Sequence, residues 1–217
     1  MTTQEDSAQG PAGDKPSGLS FDRIVFFSDA VFAIVITLLV LPLAGEVPAS
    51  HPGGDLAREV YSLWPRALAF VVGFLVIARF WISHHRTWSH LRGYDTTLIG
   101  LNLGALLTVS FMPFPTALLG SRTDPGDQFP VVFFALSMGL TSLMFTATWL
   151  YAVWRLAPRG LVTGTPRELR EFTIRSVATT AVIAGSAGAA LFGLVPALVC
   201  WLAVVPVVRL GVARLIR

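Results

Sequence analysis

Charge is what this sequence has least of: Asp, Glu, Lys and Arg make up 13% of its 217 residues, about half the roughly 25% of a soluble domain. So small a charged fraction excludes an ordinary soluble globule. Cysteine is nearly absent. The single Cys200 lies in an apolar run, which excludes an intrachain disulfide and a cysteine-built metal cage. Lysine occurs once, as Lys15, against 15 arginines, a bias that points to a bacterial genome of high GC content. Basic residues never form a run with interleaved aromatics, so the pI near 9.6 does not mark a nucleic-acid partner.

What the chain has instead is apolar length. Hydrophobic residues reach 53% and the mean hydropathy is +0.65, with most charges falling between the runs. Crossing a hydrocarbon core takes about 20 helical residues. Six runs meet or approach that length: Ile24 to Leu43, Tyr61 to Ile82, Thr97 to Leu119, Phe129 to Trp154, Thr173 to Leu191 and Leu194 to Ile216. The expected fold is therefore all-α, a polytopic membrane protein with six transmembrane helices in residues 23–217. Only Gly193 and its neighbours are available to turn the chain between the last two runs, so a five-span reading that fuses or demotes them stays open. Residues 1–22 are rich in Gly, Pro, Ser, Thr and acids without apolar periodicity and are expected to be a disordered tail. With Glu5, Asp6, Asp14 and Asp22 before a run of about 20 apolar residues, they do not read as a signal peptide.

Lys and Arg concentrate on the cytoplasmic side of membrane proteins. With six spans, thirteen basic residues fall on the side of the N-terminus, the second-to-third loop, the fourth-to-fifth loop and the C-terminus, against Arg58, Arg66 and Arg122 opposite. Both termini are expected in the cytoplasm.

Polar residues inside the runs are the candidates for function, because a charge at the bilayer centre costs at least about 2.5 kcal/mol. Asp29 leads. Read as the N-cap of a helix, it leaves Ala30 to Leu43, 14 residues or about 21 Å, short of the core; the competing reading is a buried, hydrogen-bonded carboxylate. At 100° per residue, with Ile34 at zero, Phe27, Ala30, Thr37, Leu38 and Leu41 gather within about 60° of it and Asp29 falls near −140°. The stripe is expected to face one surface and Asp29 neighbouring helices, with His84, His85 or Asn102 as partners. Spacing alone leaves the stripe open between plain helix packing and a pore.

Enzymatic readings fail for want of parts. His84, His85 and His90, read as lying in one loop, cannot fill two metal shells, and no Asp/Glu-x-x-His follows in another run. Gly185-Ser186-Ala187-Gly188 has no histidine in a neighbouring run to serve as base and reads as small-residue helix packing. Pro113-Phe114-Pro115 predicts a kink or an early helix end, and Asn102 an interhelical hydrogen bond.

The segment Arg23-Ile24-Val25-Phe26-Phe27-Ser28-Asp29 resembles the Arg-x-x-x-Phe-Ser-Asp signature of the transmembrane protein 175 family of potassium channels, prokaryotic branch. The resemblance continues through Thr37 to Pro42, the Trp81/His84/His85/Trp88 segment, Asn102 and Pro113-Phe114-Pro115-Thr116, covering about the first 120 residues. It implies a homotetramer of six-helix subunits in the cell membrane, contacting lipid and no nucleic acid, with no re-entrant pore loop, no cofactor and no metal beyond transient potassium in the pore. It also implies that the first helix lines that pore, with Ile34, Leu38 and Leu41 as the constriction and Thr37 as a polar layer. Arg23, Phe27, Ser28 and Asp29 would join His84 or His85 and Asn102 in a structural network. No Thr-Val-Gly-Tyr-Gly filter occurs, and an apolar ring accounts for gating by dewetting; potassium selectivity is implied by the resemblance alone. The rival reading is a proton-coupled secondary transporter using Asp29 and the His84/His85 region, against which stands the lack of inverted repeats.

Overall fold

The computed structural model of the protein describes residues 20–45, 56–122, 124 and 126–203. Most of the N-terminal tail, His51, and the end of the sixth expected span with Arg209, Arg214 and Arg217 lie outside the described residues. Ser20 is extended and helix α1 (Phe21–Leu38) starts directly after it, with Asp22 in its first turn, where a carboxylate complements the helix dipole. The helix thus begins earlier than the expected Ile24, and Ser28 and Asp29 stand inside it rather than capping it. Pro42 cannot donate to the ladder; the helix ends at Leu38, turns, and resumes as α2 (Leu41–Ala44).

A short α3 (Leu56–Ser62) leads into α4 (Trp64–Ser89), whose first turn carries Pro65. Helix α4 runs seven residues past the expected Ile82, so His84 and His85 are helical rather than in a loop, and His90 is the C-cap. Asp95 caps α5 (Thr96–Phe111) by accepting from the Leu98 N–H at 2.9 Å. The helix stops at Met112, and α6 (Pro113–Gly120) follows with proline in its first turn. The Val109 carbonyl that Pro113 cannot serve is taken by the Met112 N–H at 3.0 Å, and Thr116 Oγ1 donates to Met112 O at 2.8 Å, the local repair that lets proline interrupt a membrane helix.

Helix α7 (Phe129–Tyr151) loosens into a π turn over Ala152–Leu156 and a 3-10 turn over Ala157–Arg159. Helix α8 (Pro166–Ala190) opens on a capping box, Thr165 with Glu168, and starts seven residues before the expected Thr173. Gly193, at φ 119°, makes the expected turn, and α9 begins at Leu194 and is helical to Ala203, the last described residue.

Four stretches are long and apolar enough to cross a membrane: Phe21–Ala44, Trp64–Ser89, Thr96–Gly120 and Phe129–Arg159. The protein is an all-helical, multi-pass membrane protein. Among the described residues there is no strand; one antiparallel bridge pairs Leu91 with Val162. Helix α8 is not among the four stretches. Its N-terminal half carries Arg167, Glu168, Arg170, Glu171 and Arg175, and the rest is rich in Ser, Thr, Gly and Ala.

Two apolar clusters hold the bundle. The larger joins Phe32, Val35, Ile77, Phe80, Ala105, Leu106, Phe134 and Met138; the smaller joins Ile24, Trp88, Leu91, Leu98, Ala152 and Leu156. Since lipid tails are as apolar as these side chains, close packing more than burial binds the helices to each other. Gly73 serves that contact: a Cβ there would stand 2.7 Å from Thr116 Cγ2.

Candidate pore-facing helix and its anchoring layer

Helix α1 has two faces. One is packed: Ile24, Ser28, Phe32, Val35 and Leu39 are buried at helical spacing. The other is open. Ile34 and Leu41 are each 58% exposed, Leu38 40% and Phe27 54%, and Ala30 and Thr37 are exposed with them. This is the stripe expected from the sequence. The Thr37 hydroxyl donates to Ile34 O at 2.7 Å, which turns its oxygen lone pairs away from its own helix as acceptors.

The packed face is anchored by one polar layer between the two apolar clusters. On three helices the same pattern recurs, a polar residue bracketed four positions away on each side by buried apolar ones: Ile24, Ser28 and Phe32 on α1; Phe80, His84 and Trp88 on α4; Leu98, Asn102 and Leu106 on α5. The polar members meet. Ser28 Oγ donates to Ile24 O at 2.9 Å, Asn102 Nδ2 donates to Ser28 Oγ at 3.0 Å, and Asn102 Oδ1 stands 3.0 Å from His84 Nε2. The hydroxyl has one proton and gives it to Ile24, so it must accept from the amide; the amide oxygen then faces the imidazole, and His84 donates through Nε2.

Two expectations are corrected, for Asp29 and for Arg23 with Phe27, and of the two histidines left open it is His84 that meets Asn102. Asp29 is half-buried, not buried, and its partner is none of the expected three: Trp81 Nε1 donates to Asp29 Oδ1 at 2.9 Å. His85 is exposed and outside the layer, its ring 5.9 Å from that of Trp81. Arg23 and Phe27 stand on the exposed side of α1, and neither side chain bonds into the layer among the described residues. The physical reason is rotational: Ser28 and Asp29 are about 100° apart on the helix, so one carboxylate and one hydroxyl cannot share a partner on α5.

Sequence reasoning missed the charged end of the bundle. Beyond its cap bond, Asp95 accepts from Tyr151 Oη at 2.7 Å and from Arg159 Nη1 at 3.3 Å. Burial pushes the Asp95 carboxyl up, but the bonds from Leu98 and Tyr151 and the charge and bond of Arg159 outweigh it and hold the carboxyl below its ordinary value. Beside it the two loops are tied backbone to backbone, Arg92 N to Leu161 O at 2.9 Å and Thr163 N to His90 O at 2.7 Å. The signals available were Asp95 ahead of Thr96-Thr97-Leu98, an N-cap, and Thr165-Pro-Arg-Glu168, a capping box. Among the described residues, no three His, Cys, Asp or Glu side chains gather as a metal site.

Fold and site together define a multi-pass helical membrane protein, its first helix anchored on one face and left open on the other. Residues 23–113 match the family of the endosomal/lysosomal potassium channel TMEM175. A potassium channel of Streptomyces collinus is 38% identical over 140 residues, 64% of this chain and 65% of that one. A potassium channel of Chamaesiphon minutus is 34% identical over 140 residues, 64% of this chain and 69% of that one. The crystal structure of a lysosomal potassium-selective channel TMEM175 homolog from Chamaesiphon minutus overlays with a TM-score of 0.72 at 27% identity, over 88% of this chain and 97% of that one. The chain belongs to the TMEM175 family. These relatives are channels rather than enzymes. The aligned part spans just under two thirds of the Streptomyces protein's own length.

Proposed function

We propose that the protein is a potassium-selective channel assembled as a homotetramer, with α1 of each subunit lining a central pore. The observation that carries this reading is the one-sidedness of α1 and its continuation into α2, where Ile34, Leu38 and Leu41 stand open while the opposite face of α1 is packed and hydrogen-bonded. Cyclic repetition turns four such stripes toward one axis. A ring of Ile34 side chains then excludes water when narrow and opens by wetting, with Thr37 lone pairs one turn away to offset part of a cation's lost hydration. Potassium as the permeant ion comes from the relatives named above, and no cofactor is required.

Six spans per subunit, with both termini on the cytoplasmic side and the protein in the cell membrane, complete the reading. What supports a fifth span in α8 is that its polar side chains are answered by α7. Thr180 Oγ1 is 2.7 Å from Ser142 Oγ and 2.8 Å from Thr146 Oγ1, Thr146 Oγ1 is 2.9 Å from Ser176 Oγ, and Trp149 Nε1 donates to Thr173 Oγ1 at 2.8 Å. Paired hydroxyls do not weigh against a membrane location as unpaired ones do. The α9 residue Trp201 likewise donates to Ser186 Oγ at 2.9 Å.

A proton-coupled carrier would need Asp29 and His84 to exchange protons, yet they hold different partners, Trp81 and Asn102. Purified protein in planar bilayers separates the two. Unitary currents that reverse near the potassium equilibrium potential are expected, and their absence from protein verified as tetrameric sinks the channel reading.

A further inference from the structure

The polar layer ends on two nitrogens that no described residue answers. His84 Nδ1 and Trp88 Nε1 are buried and neither has a hydrogen-bond partner. Both residues are 2% exposed, so bulk water does not reach them, and an unanswered buried polar atom is costly. Their needs are opposite. The donor order set by the Ser28 hydroxyl puts the proton of His84 on Nε2, so Nδ1 of the neutral ring is a bare acceptor, whereas an indole Nε1–H can only donate. The two rings lie one helical turn apart on α4, with centroids 5.6 Å apart and planes tilted by 37°.

The ligand that satisfies both must donate and accept at once. A cation would face the Trp88 N–H dipole, and an anion would face the bare Nδ1 lone pair. The rings of Phe32 and Phe145 lie 5.5 and 6.0 Å from that of His84, so the surroundings are apolar and the smallest molecule that both donates and accepts is water. Buried waters with two to four polar partners are a regular part of protein interiors.

We propose that one water molecule bridges Trp88 Nε1 and His84 Nδ1, accepting from the indole and donating to the imidazole. Trp88 is thereby a positioning residue. Through the water it holds His84 in the tautomer that donates to Asn102, and Asn102 in turn holds Ser28. Its ring also packs on Phe21 at 5.4 Å, so the same side chain steadies α1 at its first turn and, through the layer, at Ser28. The bridge does not depend on the pore reading; only its bearing on conduction does.

Nitrogen-15 NMR of the full chain, histidine-labelled and reconstituted in lipid, tests the bridge without measuring current, so its failure is distinct from failure of the channel reading. His84, assigned by the signal lost in His84→Gln, should show a protonated Nε2 and a hydrogen-bonded Nδ1. Trp88→Phe should move the Nδ1 resonance downfield, toward that of an acceptor with no donor, while Nε2 stays protonated. An Nδ1 resonance unmoved by Trp88→Phe, a ring protonated on both nitrogens, or a proton on Nδ1 alone overturns the proposal. If Trp88→Phe does not fold, a high-resolution density map of the wild-type protein decides. A peak within hydrogen-bond distance of both nitrogens supports the bridge, and no peak there where other buried waters are seen overturns it.

Discussion

Trp81 and Asp29, 52 residues apart, are joined by an indole-to-carboxylate hydrogen bond of 2.9 Å on the outer side of the α1 and α4 pair. The bond ties α1 to α4 outside the buried layer. Asp29→Asn and Trp81→Phe should each weaken the proposed tetramer, by loosening α1 against α4, while leaving ion selectivity unchanged. Trp81→Phe removes the bond and Asp29→Asn, whose amide oxygen can still accept, removes its charge assistance, so both act on one interaction and should not add, with a coupling of about 0.5 to 1.5 kcal/mol. Size-exclusion and crosslinking of the two single variants and the double variant measure it. An intact oligomer in Asp29→Asn with altered pH-dependent flux would instead assign Asp29 to a transport path.

Ile34 is the open residue nearest the middle of the stripe. Ile34→Asn should raise single-channel conductance and lower discrimination among cations, since a polar ring no longer favours the dry state. Recordings of wild type and variant under the same bi-ionic conditions decide it, and equal currents would remove Ile34 from the constriction.

Gly73 lets α4 pack directly against Thr116 of α6. Adding a methyl group there sets it 2.7 Å from Thr116 Cγ2 and 2.9 Å from Thr116 Oγ1, with Leu39 Cδ2 behind at 3.4 Å. Thr116 is held by its bond to Met112 O and has little freedom to give way. Gly73→Ala should therefore lower stability by about 1 to 3 kcal/mol, seen as an earlier thermal unfolding midpoint in detergent. An unchanged midpoint would mean that the two helices separate freely.

Asp95 sets a pH dependence of known sign. Its carboxyl lies below the ordinary value, so the stabilisation is fully present above that ordinary value and is lost as pH falls through it toward the folded one. The unfolding midpoint of the wild type should fall more steeply than that of Asp95→Asn once the pH drops below about 4. Glu168, held low chiefly by its bonds with Thr165, titrates in both proteins and cancels from the comparison. Parallel curves would show that Asp95 binds protons alike in the folded and unfolded protein and that its bonds to Leu98, Tyr151 and Arg159 do not favour the carboxylate.

How much of this was legible in the sequence follows from what each signal depends on. The alignment of the stripe on one side and its angular separation from Asp29 depend only on the helical period and could be read from residues 27 to 41, whereas its openness depends on how α1 packs and could not. Membership of the layer could not. His84 and His85 are adjacent, and which one points inward is set by how α4 rotates against α5. The pattern that decides it, an apolar residue four positions to either side, is satisfied at His84 by Phe80 and Trp88. At His85 the same positions are Trp81 and Ser89, both exposed. Helix ends were misjudged where polar composition was taken for a loop. Ser83 to Ser89 continues α4, and the capping box at Thr165 starts α8 among charged residues.

The tie between the loops at His90 to Arg92 and Leu161 to Thr163 is made almost wholly by main-chain groups, with the Thr163 hydroxyl adding one bond to His90 O at 3.0 Å. A join of that kind makes few demands on side-chain identity. Arg92 can exchange for another residue and keep its N–H on Leu161 O, whereas proline at Arg92 or Thr163 removes the donor. The loops that carry much of the bundle's charge are thus free to drift in sequence while keeping their geometry, and mutational tolerance here should track backbone donors rather than chemical similarity.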